Sequence, residues 1–241
     1  MARLLHSVVE DPGPCAYLPG QAAALEHRVM VEVTPEEADE LFDRGWRHFG
    51  PDWFRPACAQ CDQCLPTRVL VDRFTPNRSQ RRALRAIGQF RIEVGQPIID
   101  EARLALFQAW HSEREGTRGW HPNPIDGDNY FLQFAFPTAI AREVAYYDKA
   151  DADRLVMVAI CDETPRLWSA VFCYYDPAYA HLSPGILNIL NLVALARTTG
   201  RPFLHLGYRV SACPSLSYKG AFHPQECLIG RPADGEEPRW G

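Results

Sequence analysis

The second half of the chain constrains the fold most, because its hydrophobic period changes partway along. Residues 141–148, 154–161 and 167–175 read as three strands. Short polar turns at 149–153 and 162–166 join them and suit an antiparallel meander. The period then lengthens. Ser183-Pro184 opens a helix running to about Thr199, Gly200 ends it, and residues 203–208 (FLHLGY) make a buried strand. Strand, helix and strand in that order predict a right-handed crossover onto a parallel neighbour. The expected class is α/β (α+β): a mixed, mostly antiparallel sheet with helices.

The first half reads as strands around two helices. Residues 27–33 alternate apolar and polar. Thr34-Pro35-Glu36-Glu37 then starts a helix with a capping box, and Gly45 stops it. Residues 67–74 and 90–95 are strand-like. Between them lies a short basic helix, 80–87, which Ser79 is expected to cap and Gly88 to end in a left-handed conformation. Asp100 caps a helix over 101–115 that Gly116 should end, and a shorter aromatic helix follows near 128–135. Gly95-Gln96-Pro97 divides the chain into an N-terminal region, 1–96, and a C-terminal domain, 97–241. A helix pair, a meander and one crossover are similar in layout to GNAT-type acyltransferases, a likeness of fold and not of function.

At 241 residues and 46% apolar, with no repeats or low-complexity tract, the chain can bury a core unaided. Its apolar runs break before the roughly 18 residues needed to span a bilayer. The opening MARLLHSVVE lacks the marks of a leader peptide. A cytoplasmic protein without a membrane partner is expected. The formal net charge of −5 hides an asymmetry: from Pro66 to Arg91, seven arginines against Asp72 give +6 and leave −11 elsewhere. Such a strip fits either a polyanion contact or one solvated helix face.

Eight cysteines are many for a chain that needs no disulfides. Cys58, Cys61 and Cys64 stand two residues apart in a loop bounded by Pro56 and Pro66, with Cys15 in a Gly-Pro-Cys turn as a candidate fourth. That spacing lets thiolates converge on zinc or an iron–sulfur cluster, and it serves equally for reduced thiols that hold a tight loop. Cys161, Cys173, Cys213 and Cys227 read as packing residues.

The ordered motifs carry a resemblance. They are residues 14–19 (PCAYLP), Phe54-Arg55-Pro56 leading into Cys58, Cys61 and Cys64, Arg68, and Arg78-Ser79-Gln80-Arg81-Arg82. In the second half they are Ser169-Ala170-Val171 through Tyr174-Tyr175-Asp176-Pro177, Leu206-Gly207-Tyr208, and Cys213 with Ser217-Tyr218-Lys219 and Phe222. In this order, from residue 14 to 226, the chain resembles the N-end-rule aminoacyl-tRNA–protein transferases. In size it is similar to the bacterial branch, the aspartate/glutamate leucyltransferases, which are related to arginyltransferases. Three places depart from the family's pattern: Ser183-Pro184-Gly185, Arg114-Glu115 and Ile87-Gly88-Gln89. The last two bear on the amino acid transferred or on the acceptor.

The resemblance implies transfer of leucine or arginine from aminoacyl-tRNA to the α-amine of proteins with an acidic N-terminus. The ester is already activated, so no cofactor is required. The enzyme must position a neutral amine and stabilise a tetrahedral oxyanion. Candidate catalytic residues are Asp176, as proton acceptor or simply a turn-forming residue, and Tyr208, Tyr218 and Lys219 as donors. Candidate substrate-binding residues are Arg78, Ser79, Gln80, Arg81 and Arg82 for tRNA, Arg68 or Arg81 for the acidic residue, and Tyr174, Tyr175, Ser183 and Gly185. An arginyl pocket needs a buried carboxylate and a leucyl pocket an apolar lining. The rival readings are an acetyl-CoA-dependent N-acetyltransferase, which the single glycine and the proline of 183–185 disfavour, and a metal-bound nucleic-acid module. DNA is not an expected partner.

Overall fold

A computed structural model describes residues 1–241 apart from position 123. The N-terminal part holds β1 (Arg3–Val9), the small pair β2 (Gly13–Pro14) and β3 (Ala22–Ala23), and β4 (Leu25–Val31). After α1 (Pro35–Asp43) come β5 (Arg47–Phe49) and β6 (Asp52–Pro56). Strands β1, β4, β6 and β5 pair in that order, all antiparallel. The capping box forms as expected: Thr34 accepts from the Glu37 amide and Glu37 accepts from the Thr34 amide. The amphipathic α1 buries Ala38, Leu41 and Phe42 against Trp46 and Trp53, and this cluster extends to Ile140 and Leu167 from the second half.

The main sheet is built from β7 (Leu65–Leu70), β8 (Phe90–Gly95), β9 (Ala141–Asp148), β10 (Arg154–Glu163), β11 (Leu167–Tyr175), β12 (Phe203–Arg209) and β13 (Gln225–Cys227). Its order is β13-β7-β12-β11-β10-β9-β8. Every pairing is antiparallel except β11 with β12, which α5 (Pro184–Thr198) connects as a crossover. The expected mixed, mostly antiparallel sheet is therefore present. Strands from both sides of residue 96 share it: β7 lies between β12 and β13, and β8 pairs with β9.

Pleating sends alternate residues to opposite faces. From β9, Val144 and Tyr146 join Leu187, Leu190 and Val193 of α5 on one side. Ala145 joins Leu106, Phe107 and Trp110 of α3 (Glu101–Arg118) on the other. Burying side chains of this size contributes about 1.5–3 kcal/mol each, enough to fix both helices against the sheet. The remaining helices are α2 (Arg78–Leu84), α4 (Gly127–Tyr130), which continues into a wider turn over Phe131–Ala135, and α6 (Pro214–Ser217).

Several helix ends differ from expectation. Asn77, not Ser79, caps α2, because the Asn77 and Gln80 side chains exchange hydrogen bonds with each other's backbone. Gly88 does not adopt a left-handed conformation, and a 3-10 turn over Arg85–Gln89 follows α2 instead. Helix α3 runs past Gly116 to Arg118 and ends on Gly119 at φ 65°. Ser183 occupies the cap position of α5, but at φ 56° its side chain makes no capping bond.

Candidate active site

The parallel ladder between β11 and β12 lasts three residue pairs, Leu167 to Ser169 against Phe203 to His205, and the strands then part. An irregularity in β12 before Gly207, which has φ 76°, turns the strand away. The opening holds a cavity of about 600 Å³. Its floor is Arg47, whose buried guanidinium donates to Ser169 Oγ (2.8 Å) and to the Ala170 carbonyl. A side chain at position 207 would press on that guanidinium, because a Cβ there lies 3.4 Å from Arg47 Nε.

Lys219 and Tyr218 enter from the 3-10 turn Tyr218–Ala221 that follows α6. Lys219 Nζ donates to the Tyr208 carbonyl at 3.0 Å. Burial, aided by the nearby Arg47 charge, brings the Lys219 ammonium down to about 7. Burial pushes the Tyr218 hydroxyl up to about 12, with smaller contributions from Cys173 and Tyr175 nearby. Ser183, Pro184 and Gly185 bring the start of α5 to the same cavity. Proline has no N–H, Ile186 and Leu187 both donate to the Ser183 carbonyl, and the Gly185 N–H is without a partner among the described residues. That one amide and the positive end of the helix face the cleft.

The opposite wall is cationic and aromatic. Arg114 of α3 stacks on Trp110 (4.0 Å to the ring centre) and near Tyr175 (5.1 Å), and donates from Nη2 to the Tyr175 hydroxyl at 3.0 Å. Trp120 and the exposed Arg118 complete this end. Among the described residues that line the cavity, Arg47, His48, Arg114, Arg118 and Lys219 are basic and none is Asp or Glu. Sequence reading missed Arg47, Trp110, Arg118 and Trp120. The i, i+4 spacing of Trp110 and Arg114 on one helix face was the available signal.

Other candidates lie outside the cavity or are committed to the fold. Arg68 is buried on β7, bonded to Asp43 (3.2 Å) and Glu226 (2.8 Å) and held between Phe203 and Trp240, so its guanidinium is committed to the fold. Asp176 accepts from the Ala178 amide and pairs with Arg154 at 2.7 Å. Those interactions outweigh burial and hold its carboxyl below the usual range, making it a turn residue and not a base in the cleft. Tyr208 lines the cavity, but its hydroxyl turns away to the Gly45 (3.0 Å) and Phe54 (3.2 Å) carbonyls. Tyr174 is fully buried and shares a hydrogen bond with Tyr130. Gln80 is buried and donates to the Ala221 carbonyl at 3.1 Å, which ties α2 to the turn carrying Lys219.

Arg78, Ser79, Arg81 and Arg82 are exposed, as is Arg85 beyond them. None of these arginines forms an ion pair among the described residues; Arg81 donates to the Pro76 carbonyl at 2.6 Å. The four cysteines of the expected metal site are partly buried, and Cys64 senses Cys58, Cys15 and Cys61, although burial is what chiefly pushes its thiol up to about 12. Among the described residues no group of three or more His, Cys, Asp or Glu is arranged to hold a metal ion. The zinc or iron–sulfur expectation is therefore unsupported. In the loop, Cys58 Sγ lies 3.7 Å from the Ala24 carbonyl, and Arg231 bridges the backbone carbonyls of Cys58 and Cys61.

Known proteins supply the class. The N-terminal and C-terminal family profiles of the arginine-tRNA-protein transferases match residues 13–82 and 102–229. The chain is thus an enzyme, an aminoacyl-tRNA–protein transferase. The chain belongs to the arginine-tRNA-protein transferase family. It is 30% identical over 223 residues to an aspartate/glutamate leucyltransferase of Campylobacter jejuni, covering 90% of each chain. It is 31% identical over 219 residues to a protein of the same name from Halorhodospira halophila, covering 90% of this chain and 91% of that one. Among solved structures it is similar to the C-terminal domain of a protein described as a putative lysylphosphatidylglycerol synthetase from Agrobacterium fabrum, with TM-score 0.49, 13% identity, and 86% and 64% of the two chains covered.

Proposed function

We propose that this transferase moves leucine from leucyl-tRNA onto the α-amine of proteins that begin with Asp or Glu. The observation that carries the choice of leucine is the absence of any carboxylate from the described cavity lining, beside apolar walls from Val171, Phe172, Ile186, Leu206 and Leu216. An arginine side chain in that space would meet the guanidinium charges of Arg47, Arg114 and Arg118 and no counter-charge. The names of the relatives point the same way. The surplus of cations suits an acidic acceptor and the phosphates of tRNA.

In this reading the acceptor amine attacks the ester carbonyl, a C–N bond forms, and the oxyanion develops beside Tyr218 and the Gly185 N–H. Collapse breaks the ester C–O bond, and the terminal ribose leaves as an alcohol that takes up the proton shed by the amine. Lys219, neutral above about 7, relays that proton. The ester is activated already, so the transfer needs no cofactor. The basic face of α2, anchored through Gln80 to the Lys219 turn, tracks the tRNA backbone. No helix among the described residues is long and apolar enough to cross a membrane, and use of charged tRNA assigns the work to the cytoplasm.

The test is to incubate the protein with labelled leucyl- or arginyl-tRNA and peptides beginning Asp, Glu, Gln or Ala. Label is expected on the Asp and Glu peptides with leucyl-tRNA. Transfer from arginyl-tRNA alone overturns the choice of leucine, and transfer dependent on acetyl-CoA overturns the whole reading.

A further inference from the structure

The acceptor's first side chain needs a cation, and three arginines face the cavity. Arg118 is exposed, where water screens it and little discrimination is available. Arg47 forms the floor beneath Gly207, whose backbone covers the Nε and Nη2 edge of the guanidinium, while Nη1 donates to Ser169 and Nη2 to the Ala170 carbonyl. Arg114 differs from both. Its side chain is 8% exposed, and its one ion-pair partner among the described residues is Glu113, itself 40% exposed, at 3.1 Å. Nη1 donates to Glu113 and to the Trp110 carbonyl, and Nη2 donates once, to the Tyr175 hydroxyl. A guanidinium carries five N–H donors, so the Nε proton and one Nη2 proton are without an acceptor among the described residues.

Those two protons belong to the fork that grips a carboxylate with two parallel bonds. The rings of Trp110 and Tyr175 hold the fork in one orientation, and Tyr175 lies near enough to Tyr218 to influence its hydroxyl. The wall thus runs from Arg114 through Tyr175 to Tyr218, beside Lys219. An Asp or Glu residue carries its carboxylate and its α-amine on one short unit, so a carboxylate held at Arg114 leaves the amine directed along this wall. Resting on the leucyl-transfer reading, we infer that Arg114 receives the side-chain carboxylate of the acceptor's first residue and thereby sets acceptor specificity. Phosphate is the lesser fit, since this end of the cleft is walled by aromatic rings and admits a side chain more readily than a nucleic-acid backbone.

The test compares peptides beginning Glu and Gln with wild type, Arg114→Gln, Arg114→Lys and Arg118→Gln. In wild type the Glu peptide is preferred. Arg114→Gln is expected to raise KM for the Glu peptide by about 10- to 100-fold and leave KM for the Gln peptide and for leucyl-tRNA nearly unchanged, the loss appropriate to hydrogen bonds with a charged group. Arg114→Lys keeps the charge without the fork and recovers part of the preference, while Arg118→Gln retains it. An Arg114→Gln protein that still prefers Glu overturns the inference, as does one that loses affinity for leucyl-tRNA instead. Should that variant not fold, Tyr175→Phe removes the Nη2 acceptor and is expected to lower the preference several-fold; an unchanged preference overturns the inference equally. A wild type that transfers leucine to both peptides alike refutes the role of Arg114 alone. One that transfers nothing refutes the leucyl-transfer reading, and the inference falls with it.

Discussion

At the scale of single residues, burial separates the groups that serve the fold from those left open to substrate. His48 is a group of the first kind. Both ring nitrogens face acceptors, Nδ1 the Gly50 carbonyl at 2.9 Å and Nε2 the Asp162 carboxylate at 3.0 Å. Burial and Arg47 lower the imidazole pKa, but Asp162 and the two hydrogen bonds outweigh them and raise it above its ordinary value. Lys219 is the opposite case: burial and Arg47 act together and outweigh the smaller opposing effect of Cys213, which brings its ammonium down to about 7. Below that pH Lys219 is charged and cannot take a proton from the acceptor; above it the amine is free to do so. The proposed relay therefore predicts that kcat/KM for leucyl transfer rises with pH in two steps, one near 7 from Lys219 and one in the α-amine's own range of about 7.7–8.0. In Lys219→Gln the plateau should fall by about 100-fold, and only the α-amine step should remain. A wild-type rate that instead falls as pH rises through 7 would mean that the charged lysine is the working form, and the relay would be discarded.

At the scale of elements, α2 joins local sequence to a distant site. Its Asn77–Gln80 capping box fixes the first turn, Gln80 reaches across to Ala221, and the other face carries arginines into solvent. If that face follows phosphates, Arg81→Gln with Arg82→Gln should weaken tRNA binding at low salt. The slope of log affinity against log salt should fall by about one to two, roughly one for each phosphate left unneutralised. Transfer to peptide at saturating tRNA should change little. An unchanged slope would return these arginines to the status of a solvated helix face. Elements such as α1, the meander and the crossover were legible in sequence because period and caps are local signals. The Asn77 cap was also present as an Asn-x-x-Gln pattern, but Ser79 competed with it as an equally good capping residue. The ends of α3 and α2 were harder to read: α3 runs past Gly116 with Thr117 bonded back to the Glu113 carbonyl and ends where the Gly119 amide donates to Arg114, and α2 passes into a 3-10 turn. In the site, Tyr175, Ser183, Gly185, Tyr218 and Lys219 were recognisable from motifs and do line the cavity. The pairing of Arg68 with Asp43 and Glu226, and of Asp176 with Arg154, was not legible because these partners lie 22 to 158 residues away, and no local pattern reveals a charge already paired.

At the scale of the molecule, the seven-stranded sheet binds the two halves of the sequence into one unit. Strand β7 belongs to the first half, yet it fills the place between β12 and β13 of the second, with Val69 fully buried in the core that α5 covers. The family profiles part between residues 82 and 102, and β8, which lies in that interval, pairs with β9 beyond it. Removing residues 1–96 would leave β12 without its antiparallel neighbour, β13 without any, and the Arg47 floor absent from beneath the cleft. Residues 1–96 alone would in turn expose Val69, Val71, Phe74 and Phe90 to water, a loss of about 1.5–3 kcal/mol for each large side chain. Stabilities of whole domains are only about 5–15 kcal/mol, so neither fragment has the margin to absorb such losses. Full-length protein should therefore unfold in one cooperative transition followed alike by tryptophan fluorescence and far-ultraviolet circular dichroism, while fragments 1–96 and 97–241 made separately should lack fixed tertiary packing. Mixing them should restore leucyl transfer only as far as β7 re-enters the sheet, which amide hydrogen exchange at Val69 and Leu204 would report directly. Two separate unfolding transitions, or a folded 97–241 fragment that binds leucyl-tRNA, would show instead that the crossover half holds its cleft without β7.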